Sequence, residues 1–258
     1  MVRNVKIKDT LMVSYSDGQN ERFDGTKIPP ETKAKNPRLT RQERRRLITD
    51  EAIKFFSEVG FGGETRELAK RLGITQPHLY KFFPSKDAII ESVFEAVYLR
   101  PWNPAWELTL EDSQRPLEDR LKEFYLDYSH VILESEWVRL FLYSGLIGAD
   151  LNQRYWTIIN ERIFTRIVRA MRQEFDLPNA LDTPPTEIEL EAIWNLHASI
   201  FYVGVRRWVY QLKVPVDLDT FVDQKVEAFL HGAPALLRSR ASSERKVTKK
   251  TRKEARAA

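Results

Sequence analysis

The sequence predicts an all-α protein of about nine helices: a helix-turn-helix unit of three short helices and a connecting fourth, then a larger helical bundle. Three observations carry that expectation. From Thr40 onward the apolar residues recur at the three-to-four-residue spacing of amphipathic helices. Beyond Pro101 there is no convincing strand run and no internal repeat. Glycines, prolines and capping residues fall between the periodic stretches, where helices start and stop.

Residues 1–36 read as an N-terminal arm. Leu11, Val13 and Tyr15 alternate ahead of an Asp17-Gly18 turn signal, which is compatible with a small hairpin, although a loosely attached arm is the plainer reading. Lys33 to Arg38 form a basic linker. Thr40, with Glu43 three residues on, has the signature of a capping box. Leu47, Ile48, Ala52, Phe55, Phe56 and Val59 then mark a first helix, stopped by Gly60 and Gly62-Gly63. Thr65 is the expected cap of a second helix over 66–72, with Leu68, Ala69 and Leu72 inward and Gly73 at its end. Thr75 caps a third, with Pro77 in its first turn, where a missing N–H is harmless; Leu79 and Phe83 face inward. Ser85 caps a fourth, whose apolar side is Ala88, Ile89, Val93, Phe94 and Val97.

The third helix is fenced by two prolines and loaded with Gln76, His78, Tyr80 and Lys81, too polar and too short to bury much. A helix of that size fits across the major groove of DNA, where base edges are displayed. A solvated face explains the same polarity equally well. The wider context favours the groove. The stretch "TRELAKRLGITQPHLYKFFPSKDAII" resembles the DNA-binding domain of the TetR family of bacterial repressors, and the match extends over about 41–97. It rests on Thr65, Leu68, Ala69, Gly73, Ile74, Leu79, Tyr80, Phe83, Lys86, Ile89 and Ile90, which agree in register.

The resemblance implies roles for individual residues. Arg66 and Gln76 would reach base edges, the natural geometric partners of guanine and adenine. Pro77 would meet a thymine methyl, and Thr65, Tyr80 and Lys86 would grip phosphates. His78 stands where the family usually has a small residue, and Phe82 where it has His or Tyr, so no operator sequence is carried over. Lys81 is read equally as a DNA contact and as a solvated charge. The run Arg41, Arg44, Arg45, Arg46 abuts this unit, and part of it, Arg41 and Arg45 included, is expected on phosphates or in the minor groove.

Charge is segregated along the chain. Residues 1–36 carry +2, 37–100 carry +3, 101–237 carry −8 and 238–258 carry +7. Basic ends attract polyanions and an acidic middle repels them. The bundle, 101–237, is expected to hold five helices over about 116–133, 135–148, 150–175, 186–212 and 218–236. The tail 238–258 is dense in like charge and low in hydrophobicity, the composition of a disordered segment. All six tryptophans lie in the bundle. Family resemblance implies that this part binds a small effector and pairs two subunits through its last two helices. On the helix over 186–212, Leu190, Trp194, His197, Phe201, Gly204 and Trp208 share a stripe, and Gly204 would admit another helix closely. Trp102, Trp106, Tyr128, Trp137, Phe141, Trp156, Trp194, His197 and Phe201 are the candidate ligand contacts, with plain core packing as the competing account of each. Tyr128, His130, Asn160, Asn195 and His197 are the candidate polar groups.

Several functions are disfavoured. There is no cysteine, hence no disulfide, thiolate site or thiol nucleophile, which fits the cytoplasm. Neither a signal peptide nor an apolar run near membrane-spanning length is seen, so no membrane partner is expected. The nearest approach to a di-iron motif is Asp127-x-x-His130, without a second copy, and hydrolase, nucleotide and dinucleotide fingerprints are missing. Neither catalysis nor a cofactor nor a metal is expected. The sequence therefore reads as a ligand-responsive regulator that binds double-stranded DNA as a homodimer, a repressor responding to a small apolar or aromatic effector. Its competitors are a non-specific architectural DNA binder, which would have no use for the aromatic domain, and a helical-bundle metalloenzyme.

Overall fold

The computed structural model describes residues 39–148, 150–177, 181, 183–214 and 217–254, with side chains as far as Ser239. The expected arm over 1–36, with its possible hairpin, lies outside the described residues. Every regular element among them is helical. Helix α1 (Arg41–Val59) starts with the expected capping box: the Glu43 N–H donates to Thr40 Oγ1 at 3.2 Å, and the Thr40 N–H donates to Glu43 Oε2 at 2.7 Å. Two donors that the first turn leaves without carbonyl partners are thereby satisfied. Gly60 ends the helix at φ 77°, a conformation that favours glycine. Ile48, Ala52, Phe55 and Phe56 are buried, whereas Leu47 and Val59, which share their spacing, lie on the flank and stay about half exposed.

Helix α2 (Thr65–Arg71) corrects one expectation. Thr65 is its first helical residue and Glu64 occupies the cap position. The Thr65 hydroxyl makes no cap bond because it is held by α3. Gly73, at φ 66°, makes the turn. Helix α3 (Gln76–Tyr80) is capped by Thr75, whose hydroxyl accepts from the His78 N–H, and Leu79 and Phe83 are fully buried beneath it. Helix α4 (Lys86–Phe94), capped by Ser85, runs on as a π-helical segment π1 (Glu95–Leu99).

The bundle follows as α5 (Ala105–Glu111), α6 (Leu117–Ile132), α7 (Ser135–Leu146), α8 (Leu151–Ile159), a second π segment π2 (Asn160–Phe164), α9 (Thr165–Glu174), α10 (Glu187–Trp208) and α11 (Leu218–Glu254). Helix α5 was not expected. The rod expected over 150–175 is continuous, but its register slips at π2. The expected end of the last helix near 236 is also corrected, since helical backbone continues to Glu254, through most of the segment that composition assigns to disorder. That segment is rich in Arg and Lys, both good helix formers. Like charge and low hydrophobicity argue against packing rather than against a helical backbone.

Helix α1 packs on α7 and α4, α6 on α5 and α11, and α10 on α7 and α11. A Cβ added at Gly204 would stand 2.7 Å from Val138 Cγ2 and 3.1 Å from Leu133 Cδ2. The close approach expected there is thus made within the chain, where the Trp208 Nε1–H also donates to the Leu133 carbonyl at 2.7 Å. The N-terminal unit is held against the bundle through α7: the Arg139 Nε–H donates to the Ser57 carbonyl at 2.7 Å and the Tyr143 hydroxyl to the Glu58 carbonyl at 3.3 Å. A Cβ at Gly60 would lie 3.1 Å from Tyr143 Cδ1, so glycine also makes room for that ring. Among the described residues no helix is long and apolar enough to cross a membrane.

Candidate nucleic-acid interface and interior aromatic cluster

The outward side of the helix-turn-helix is organised around one buried hydroxyl. Thr65 is 5% exposed. Its Oγ1 accepts from the Gln76 Nε2–H at 2.8 Å and shares a 2.9 Å hydrogen bond with the Tyr80 hydroxyl. Three residues expected to touch DNA are therefore bonded to one another. Thr65, expected on a phosphate, has its side chain turned inward and fixes the other two. Tyr80 is 37% exposed and Gln76 partly so. Arg66 and Pro77 are exposed beside them, and Arg66 has no ion-pair partner among the described residues. His78 is half-buried, its ring edge-on to Phe82 at 5.4 Å. Lys81 is exposed; Lys86 opens α4 directly after its Ser85 cap, partly exposed, so its cation stands by a helix N-terminus that favours anions.

The basic run on α1 also serves the fold. Arg41 donates to the Lys81 carbonyl at 3.4 Å, and Arg45 donates to the Phe82 carbonyl while its guanidinium lies 4.2 Å over the Phe83 ring. The end of a five-residue helix leaves most of its carbonyls without partners. Arg41 and Arg45, expected on phosphates or in the minor groove, supply two of those partners, and both remain exposed. Arg46 is exposed on the same helix.

In the bundle the candidate aromatics form one connected network. Trp137 stacks on Phe141 at 5.0 Å, and both meet the Phe201 ring. Phe141 is edge-on to Trp156, which lies 4.1 Å from Trp194. His197 is surrounded by Tyr125, Tyr128, Trp156, Phe164 and Trp194. Trp106 joins through Tyr128 at 5.3 Å and is tethered by its Nε1–H to Asp127 at 2.6 Å. Trp102 sits at the margin, against Trp106 and under the Arg162 guanidinium.

The network is uncharged. Burial pushes the pKa of His197 down to about 3, so the ring is neutral, and its Nδ1 has no hydrogen-bond partner among the described residues. Burial likewise pushes the phenols of Tyr98, Tyr125, Tyr128 and Tyr155 up and keeps them protonated. Tyr128 and Tyr155 share a 2.6 Å hydrogen bond, while Asn160 Oδ1 is buried without a partner among the described residues. Two other candidate polar groups are excluded from the network. His130 is exposed and lines a surface groove of about 400 Å³ with Asn103, Trp106 and Asp127. Asn195 is exposed and donates to the Glu191 carbonyl.

Four members escaped the sequence reading. Tyr98, Tyr125, Tyr155 and Phe164 are all buried in the network. Tyr98 follows Phe94 by four residues, a signal that was present. Phe164 ends π2 and Tyr155 precedes it, and the register slip there hides their common side. Tyr98 lies on π1 and touches Trp137, Phe141 and Tyr155, so the network reaches the end of the rod that begins at α4.

Comparison with known proteins agrees with this geometry. Residues 48–93 match the family model described as bacterial regulatory proteins, tetR family. Similar solved structures include a TetR-like transcriptional regulator from Rhodococcus sp. RHA1, at 17% identity over 76% of this chain and 100% of that one, with a TM-score of 0.53. Another is the TetR family transcriptional regulator PfmR from Thermus thermophilus, at 18% identity over 72% and 97%, with a TM-score of 0.52. A TetR family transcriptional regulator from Pseudomonas syringae pv. tomato str. DC3000 gives 20% identity over 75% and 97%, with a TM-score of 0.51. At these identities the likeness is one of fold. Comparison with curated proteins gave no match.

Proposed function

We propose that the chain, whose residues 48–93 match the model of the tetR family of bacterial regulatory proteins, is a ligand-responsive repressor. Two copies bind a pseudo-palindromic DNA operator, and a small apolar or aromatic effector releases them. One observation carries the reading: α3 presents Gln76 and Tyr80 on its outward side, both fixed by the buried Thr65 hydroxyl, next to an exposed Arg66 that has no ion-pair partner among the described residues. Fixed polar groups beside an exposed guanidinium suit the bidentate readout of base edges. Lys86, Lys81 and Arg46 supply cations for the phosphates around them, and Pro77 an apolar contact. The C2 pairing follows the family's use of its last two helices and predicts half-sites roughly 34–36 Å apart.

The effector half of the proposal is supported by the aromatic network and the His197 Nδ1 within it, which has no hydrogen-bond partner among the described residues. An apolar enclosure with a few polar groups is the usual form of a small-molecule site. Neutral His197 and protonated phenols suit an uncharged ligand. Work in the cytoplasm fits a DNA-binding partner.

The test begins with selection of duplexes from a random pool by the full chain. A palindromic consensus, bound far more tightly than random DNA, is expected; an equal affinity for all duplexes would instead favour an architectural binder. A library of neutral aromatic compounds is then screened by tryptophan fluorescence. A true effector lowers operator affinity roughly 5–150-fold, and operator lowers its affinity by the same factor. Equal ligand affinity with and without operator would reject the effector role.

A further inference from the structure

Arg154, on α8, grips α4 in an unusually complete way. Its Nη1 and Nη2 donate to the two carboxylate oxygens of Glu91, each at 2.7 Å, and its guanidinium lies 4.3 Å over the Phe94 ring. Planar guanidinium on carboxylate in this forked form fixes direction as well as distance. The pair is also 39% and 44% exposed, a setting in which an ion pair adds little to stability. Its geometry is therefore better explained by position than by energy.

The position is specific. The next two residues, Tyr155 and Trp156, belong to the aromatic network: Tyr155 bonds Tyr128, and Trp156 touches Trp194 and His197. Successive helical residues point about 100° apart, so one turn of α8 faces the network with Tyr155 and holds α4 with Arg154. At the other end, Glu91 lies on the helix that Lys86 opens. Each partner's helix runs directly into a π segment, α4 into π1 and α8 into π2. Such segments are often found at functional sites within helices.

We propose that Arg154 is a positioning residue: through Glu91 and Phe94 it transmits the arrangement of the aromatic network to α4 and so to the helix-turn-helix. The inference rests on the DNA-binding half of the function proposed above. A motion of α8 beneath the network pulls α4 along the Arg154–Glu91 axis, independently of the covalent connection through Trp102 and Trp106.

The test uses the bundle's own fluorophores. Residues 39–100 contain no tryptophan, so intrinsic emission reports on the bundle while DNA binds elsewhere. Emission of the full chain is measured with and without saturating operator duplex, the duplex being the one selected from the random pool. Operator is expected to change wild-type emission, and Trp156→Phe to remove most of that change. Arg154→Lys and the near-isosteric Glu91→Gln should each bind the same duplex within about fivefold, yet lose more than half of the emission change. The exchanged pair Glu91→Arg/Arg154→Glu should regain it. A full change in both single variants, or none in the wild type on a duplex it binds, would overturn the link and leave the DNA-binding reading intact. Failure to enrich any duplex would instead remove that reading and this inference together.

Discussion

The hydroxyls of Thr65 and Tyr80 lie 2.9 Å apart, bridging α2 and α3 across the Gly73 turn, and Gln76 donates to the same Thr65 oxygen. Thr65→Val keeps the shape and removes the oxygen. It should cost about 1 kcal/mol of stability, the usual worth of such a bond. Operator affinity should fall further than stability does, because Gln76 and Tyr80 are both released. Thr65→Ser should restore both. Denaturant melts and gel shifts on one set of variants check this; a Thr65→Val protein with unaltered operator affinity would show that the preset geometry is irrelevant to binding.

Base readout and phosphate grip should separate by mutation. Arg66→Ala or Gln76→Ala should cost roughly 1–3 kcal/mol on the operator and relax preference at one position in each half-site. Lys86→Ala should weaken every duplex alike and make the salt slope shallower by about one. Competition against single-base operator variants reads the difference.

Arg45 and Arg46 are neighbours with different expected effects. Arg45 donates to the Phe82 carbonyl and covers Phe83, so Arg45→Ala should lower stability by about 0.5–1.5 kcal/mol. Arg46→Ala, at an exposed position, should leave the melt unchanged within about 0.5 kcal/mol and weaken DNA binding in a salt-dependent manner.

His197 sets a pH dependence. Its ordinary value of 6.5 is pushed down to about 3 by burial. In the unfolded chain the ring takes a proton below 6.5, while the folded chain refuses it until about 3. The unfolded state thus binds more protons across that window, and folding stability is lost as pH falls through it, by up to about 1.4 kcal/mol per pH unit. His197→Leu should remove this slope. The check is the difference between the wild-type and variant melts at several pH values, in which the carboxylates cancel.

Much of the helix-turn-helix was legible because its signals are local. Thr40 with Glu43, Thr75, Ser85 and the two positive-φ glycines each act within one turn of chain. What was missed depends on distant partners or on a broken period. Thr65 reads as a cap, yet its hydroxyl is claimed by Tyr80 and Gln76, which only the fold brings near. Arg41 and Arg45 read as DNA contacts, and their bonds to the fold stayed hidden because the carbonyls they meet lie about forty residues on. Helix α5 buries only Trp106 and Leu110 in seven residues and stands between prolines, so it has too few turns to show a period. At π2 the extra residue shifts the inward side, which is why Phe164 dropped out of the stripes, whereas Tyr98 keeps the four-residue spacing from Phe94 and was readable. The aromatic network was visible as a composition and, for most of its residues, not as an arrangement.

Arg139 and Tyr143 hold the end of α1 by the carbonyls of Ser57 and Glu58. A carbonyl is offered by every amino acid, so the two bonds themselves do not read side chains, although Ser57 is buried and leaves room for a small residue only. Gly60 is particular too, since a side chain there would meet the Tyr143 ring and the backbone is in the left-handed region. A foreign helix-turn-helix with a small residue and a glycine at the matching places, joined within α4 ahead of Glu91 so that the Arg154 clamp is kept, should seat on this bundle and offers a route to new DNA specificities under the same interior.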